Sequence, residues 1–101
     1  MTYNGWKNWE TWNVALWLGN NESLYRSAIE HAQSIKEQRA GLGKWRKLTA
    51  ADARWIVQDL MPNGTPDFQS DHHGKGQGAK LYSVVQWSAI ADNIAEMAFG
   101  S

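Results

Sequence analysis

The chain has 101 residues, a length suited to one domain spanning 1–101, and its ten basic and ten acidic residues leave no net charge. That balance excludes both the globally basic surface of a typical nucleic-acid binder and the densely acidic surface of a DNA mimic. Cysteine is absent, which excludes disulfides, thiolate nucleophiles and cysteine zinc sites, and no apolar run approaches the roughly 20 residues needed to span a bilayer. A soluble cytoplasmic protein held together by packing is the expectation.

Four of the seven tryptophans, Trp6, Trp9, Trp12 and Trp17, fall within "NGWKNWETWNVALWLGNN", residues 4–21. The spacing predicts a first helix that starts at the N-cap Asn8, has Glu10 in its first turn and stops at Gly19-Asn20 in a left-handed turn. Trp9, Trp12 and Leu16 fall together on a helical wheel, and Val14 and Leu18 fill much of the other side. A helix that is apolar nearly all round is one enclosed by its neighbours. Trp12, Leu16 and Trp17 are therefore expected to form the hub of the core, with truncation of either indole costing about 3–5 kcal/mol. Trp6 and Trp9 stand at the entrance, where a surface patch is an alternative to burial. Asn13, between Trp9 and Trp17 on the wheel, reads as a buried structural amide.

Asn21 is placed to cap a second helix from Glu22, with Leu24, Tyr25, Ala28, Ile29, Ala32 and Ile35 along one stripe. It fades before Gly41 and Gly43. A third helix is predicted over "KLTAADARWIVQDLMP", capped by Thr49 with Asp52 as the acid of a capping box and ended by Pro62. Its buried face is Ala53, Ile56, Val57 and Leu60. Residues 62–80, "PNGTPDFQSDHHGKGQGAK", have no periodicity and read as one long irregular loop. Ser83 is the expected cap of a fourth helix carrying Trp87, Ile90, Ala91, Ile94 and Met97 or Ala98 inward, and "KLYSVVQW" is either its entry or a single strand. The fold class that results is mainly α, a compact bundle of about four helices with one long loop.

The charges are not evenly spread. Lys36, Arg39, Lys44, Arg46, Lys47 and Arg54 stand against only Glu37 and Asp52 in the middle of the chain. "KWRK", Lys44 to Lys47, sets an aromatic among cations, a texture suited to phosphate contact with base stacking. The same patch, extended by Arg39 and Arg54, suits an acidic protein partner with Trp45 as anchor. Asp67, Asp71, His72 and His73 raise a metal site of His and Asp ligands. Adjacent histidines seldom converge on one ion, so they read as solvated, and no metal or cofactor is assigned. "GKGQG" lacks the Gly-Lys-Ser/Thr helix start of a phosphate loop. Asp52 and Asp59 share a helix face, but Asp52 is spoken for as a cap. No catalytic set emerges, and the expectation is a protein that is not an enzyme.

The opening "GWKNWETWNVALWL" resembles a group of short bacteriophage and mobile-element proteins that share a G-W-x-N-x-E-T-W-x-V-x-L-W-L-like start. The matching positions are Gly5, Trp6, Asn8, Glu10, Thr11, Trp12, Val14, Leu16, Trp17 and Leu18. "LTAADARWIVQDLMPNGTPDF" is similar to the helix and P-x-G-T-P-D-like turn of the same group, and together the two stretches cover about half of the chain. The resemblance implies a setting inside the bacterial host cell and carries no residue role. Its implied function is an accessory protein, monomer or homodimer, that binds and inhibits a host defence component of the anti-CRISPR or anti-restriction type by protein contact. The alternative is a small nucleic-acid-binding module using Lys44–Lys47. Neither reading involves a membrane.

Overall fold

A computed structural model describes residues 3–70 and 78–100. The chain forms α1 (Trp9–Asn20), α2 (Glu22–Gly41), α3 (Ala50–Leu60), the short α4 (Pro66–Ser70), a 3-10 helix (Gly78–Val84) and α5 (Trp87–Phe99). It is mainly α, and no strand occurs among the described residues. Helix α5 packs against α1, α2 and α3, so it is the centre of the bundle. None of the described helices is long and apolar enough to cross a membrane.

Local chemistry sets most helix starts. The Asn8 side chain accepts from the Thr11 backbone N–H at 2.9 Å, and the Asn21 side chain accepts from Leu24 N–H at 3.0 Å. Thr49 and Asp52 form a full capping box, each side chain accepting the other's backbone N–H at 3.1 and 2.9 Å. Two expected boundaries are corrected. Helix α1 runs through Gly19 and Asn20 without a left-handed turn, because Asn21 caps the next helix and its own N–H closes the last turn of α1 on the Trp17 carbonyl. Ser83 lies inside the 3-10 helix, and α5 starts after Gln86 without a side-chain cap. "KLYSVVQW" is thus helical entry and not a strand.

The core is built from Val14 and Leu18 of α1, Ala28 and Ala32 of α2, Ala53, Ile56 and Val57 of α3, and Ile90, Ala91 and Ile94 of α5, with Leu48 and Met61 from the linkers. The alanines let the helices approach closely while the branched residues interlock. Helix α4 and the 3-10 helix contribute directly. Phe68 of α4 and Tyr82 of the 3-10 helix are fully buried, and a chain of tilted rings, Trp9–Phe68–Tyr82–Trp87, runs at centroid spacings of 5.7, 5.7 and 5.5 Å. The Tyr82 hydroxyl donates to the Met61 carbonyl at 2.6 Å, and burial pushes its phenol upward, which keeps it a donor. Within the expected irregular loop, residues 66–70 and 78–80 are therefore helical and residues 62–65 form the turn before α4, where Thr65 Oγ1 accepts from Phe68 N–H at 3.1 Å and gives α4 a local start. His72, His73 and Asp71 lie outside the described residues.

The largest correction concerns α1. Trp12 and Leu16 are half-buried and lie outside the packed core, where Trp12 leans on Tyr3 at 4.8 Å. The inward face is Thr11, Asn13, Val14 and Leu18. Trp6, Trp9 and Trp17 pack against the core. The physical reason is polar. Thr11 Oγ1 accepts the Gln86 backbone N–H at 2.9 Å and donates to Asn8 Oδ1 at 2.6 Å, while Asn8 Nδ2 reaches the Val84 carbonyl at 2.8 Å. These bonds tie the start of α1 to the start of α5 and turn the Thr11 side inward. Trp12→Ala is accordingly expected to cost only about 1–2 kcal/mol in denaturant melts, against about 3–5 for Trp17→Ala, which also loses a hydrogen bond.

Candidate functional site

Two polar constellations invite a functional reading. The first joins the two sequence stretches singled out above. Asp67 Oδ2 accepts from Asn13 Nδ2 at 2.7 Å and from Trp17 Nε1 at 2.8 Å, and Thr65 Oγ1 donates to Asn13 Oδ1 at 2.6 Å. Asn13 and Thr65 are buried. Every one of these groups is used in clamping α1 to the turn before α4, so the constellation holds the fold. It also gives Asp67, weighed above as a metal ligand, a structural occupation.

The second is the basic middle of the chain. Helix α2 ends in a Schellman turn: Lys44 N–H bonds the Arg39 carbonyl at 2.8 Å and Gly43 N–H bonds the Ala40 carbonyl at 3.0 Å. Gly43 has φ of 70°, the left-handed conformation that glycine accepts at least cost. This turn sends Lys44–Lys47 back across the end of α2 and leaves Leu42 70% exposed at the corner. The linker then dives inward at Leu48, which is buried, before Thr49 caps α3.

Arg39 anchors this region. Its guanidinium makes two 2.6 Å bonds to the Asp52 carboxylate, whose Oδ2 also accepts Thr49 N–H. The Arg39 bonds, together with the Thr49 contacts, hold the Asp52 carboxyl below the usual carboxylate range against the opposing effect of burial. A bidentate pair of this kind is rigid as well as charged, so it pins the C-terminal turn of α2 to the start of α3. The cations beyond it, Lys44, Arg46 and Lys47, are exposed and make no ion pair among the described residues. With Arg39, Leu42 and Thr49 they line an open concavity of about 470 Å³.

Of the six residues expected at the site, four line this concavity and two do not. Trp45 is half-buried, edge-on to Phe99 of α5 at 5.6 Å, with the Lys36 ammonium over both rings. It packs against the core and does not line the concavity. Arg54 lies over the Trp87 ring at 5.9 Å, away from the concavity. Sequence reasoning missed Leu42, whose signal was an apolar residue set between two glycines in a basic linker, and Thr49, read only as a cap.

A family described as a family of unknown function (DUF7249) matches residues 1–98. The chain belongs to that family. The matched range includes the clamp of Asn13, Trp17, Thr65 and Asp67 and the basic concavity. Neither a comparison with curated proteins nor one with solved structures gives a match.

Proposed function

We propose that this DUF7249 domain is a non-enzymatic binding protein that docks an acidic protein surface onto the concavity of Arg39, Leu42, Lys44, Arg46, Lys47 and Thr49. The observation that carries the reading is the corner itself. An apolar side chain that is 70% exposed stands among three cations that make no ion pair among the described residues, on a backbone fixed by a Schellman turn and a bidentate ion pair. Apolar contact at the centre with charge around it is the composition of a protein-binding patch, and the cations steer an acidic partner into register. The resemblance of the opening motif to phage and mobile-element proteins supplies the setting. There the partner is a component of a bacterial defence system, and occupancy blocks it.

The protein-partner reading is favoured over the nucleic-acid one because Trp45 packs edge-on to Phe99 with Lys36 over its ring, which reduces the face it offers a base. The test is a reversal of charge. Lys44→Glu/Arg46→Glu/Lys47→Glu, at exposed positions, is expected to melt within about 0.5 kcal/mol of the parent. The same variant is expected to lose a stoichiometric partner recovered from bacterial lysate and to lose protection of phage in cells carrying the defence system. Binding to DNA or RNA that falls steeply with salt, with no protein partner recovered, would replace this reading with the nucleic-acid one.

A further inference from the structure

A second cavity, of about 270 Å³, lies along α2 beneath α3 and is lined by Glu30, His31, Ser34, Ile35, Gln38 and Trp55. It shares no residue with the basic concavity. Trp55 is 55% exposed, with the His31 ring 5.5 Å away and tilted by 48°. His31 is itself held on both sides: Nδ1 faces the Ser27 carbonyl and Nε2 faces Asp59 Oδ2, each at 2.7 Å. One wall of the cavity is thus fixed in place before any ligand arrives.

The cations of this chain have been directed elsewhere. Trp45 carries Lys36 and Trp87 carries Arg54, whereas Trp55 carries no lysine or arginine among the described residues. Arg39 is spent on Asp52. Arg26 stands one helical turn from both Glu22 and Glu30 and pairs with Glu22 at 2.7 Å, which leaves Glu30 without an ion pair among the described residues. The Asp59 carboxylate on α3 remains half exposed but is engaged by His31 Nε2 at 2.7 Å. The lining therefore offers an indole, a carboxylate without an ion pair among the described residues, and the Gln38 side-chain oxygen as a further acceptor, its amide nitrogen donating to Ser34 Oγ at 3.5 Å, with Ile35 as an apolar floor.

We propose that this cavity receives an arginine side chain of a partner protein, its guanidinium stacked on Trp55 and paired with Glu30. Arginine fits better than lysine because a planar guanidinium stacks on an indole while its edge donates to several acceptors at once. The charge complementarity is opposite in sign to that of the basic concavity, so the two sites orient a partner carrying both an acidic and a basic patch. The inference stands without the concavity: it rests on Trp55 and Glu30 alone.

The test is an NMR titration of isotope-labelled protein with a capped Gly-Arg-Gly peptide, its citrulline counterpart and its lysine counterpart. The Trp55 indole N–H, assigned by its loss in Trp55→Phe, is expected to shift and saturate with the arginine peptide. Citrulline, which keeps the shape and removes the charge, is expected to bind roughly tenfold more weakly, and lysine roughly threefold more weakly. Glu30→Gln is expected to weaken the arginine peptide by roughly three- to tenfold while leaving the melt unchanged. Equal shifts from arginine and citrulline peptides, an unmoved Trp55, or an unaffected Glu30→Gln would overturn the assignment. Self-association that shifts Trp55 without peptide and vanishes in Lys44→Glu/Arg46→Glu/Lys47→Glu would overturn it in favour of a second copy of the chain.

Discussion

Asp67→Ala is expected to lower the unfolding free energy by about 2–5 kcal/mol, a large part of the roughly 5–15 kcal/mol that holds a small domain. A single oxygen, Asp67 Oδ2, accepts from both Asn13 Nδ2 and Trp17 Nε1. Asn13 is 1% exposed in the folded chain, so removing the carboxylate strands a buried donor. Asp67→Asn keeps an oxygen that can occupy the same place, and is expected to cost about half as much. Thr65→Val attacks the network from its other end by removing the donor to Asn13 Oδ1 and the acceptor for Phe68 N–H. Since the two sites share Asn13, Asp67→Ala and Thr65→Val combined should cost less than the sum of the singles. Urea midpoints at constant slope measure all four variants, and additive losses would show that the groups do not act as one clamp.

Gly78→Ala and Gly64→Ala are expected to be comparably severe, each costing about 3 kcal/mol or more. A Cβ at Gly78 would sit 2.5 Å from the Asn63 carbonyl oxygen, and one at Gly64 would sit 2.8 Å from the backbone of Gly78. Both obstacles are main chain and cannot swing aside. Gly64 carries the further burden of φ at 96°. This glycine-on-glycine contact brings the turn before α4 against the start of the 3-10 helix, and so seats Phe68 and Tyr82 together in the core. Gly19→Ala is the matched control. It is helical, has no positive φ and has open space where the Cβ would go, so it is expected to stabilise by about 0.5–1 kcal/mol. Thermal or urea melts of the three variants separate close approach from a general intolerance of alanine. A small cost at Gly78 would mean that the two segments can part without harm to the core.

Much of the helical frame was legible because capping is decided within a few residues. Asn8, Asn21 and Thr49 with Asp52 each satisfy backbone N–H groups that lie at most three positions away, and the structure has all three caps. The stripes of α3 and α5 were equally readable, since each has one apolar face and one polar face. Along α2 the stripe was too broad: Leu24, Ala28, Ala32 and Ile35 pack inward, while Tyr25 is exposed at its edge. The basic segment was visible as a charge excess, and its glycines marked the turn that presents it.

Other features depended on partners far along the chain. Helix α1 is apolar on most sides, so periodicity left its rotation about its own axis undetermined. Long-range bonds from Thr11 to Gln86 and from Asn13 to Thr65 and Asp67 chose the inward face, and they chose it through polar residues that cannot be buried alone. In the same way, composition counted six cations in the middle of the chain. Only the fold could spend Lys36 on Trp45 and Phe99, Arg39 on Asp52 and Arg54 on Trp87, leaving Lys44, Arg46 and Lys47 around Leu42. The sequence by itself determined where helices begin and which residues are charged, because those properties are local. Which face of α1 turns inward is settled by contacts between segments fifty or more residues apart, and which glycines touch and which cations remain available by contacts between different elements, pairings that exist only once the chain has folded.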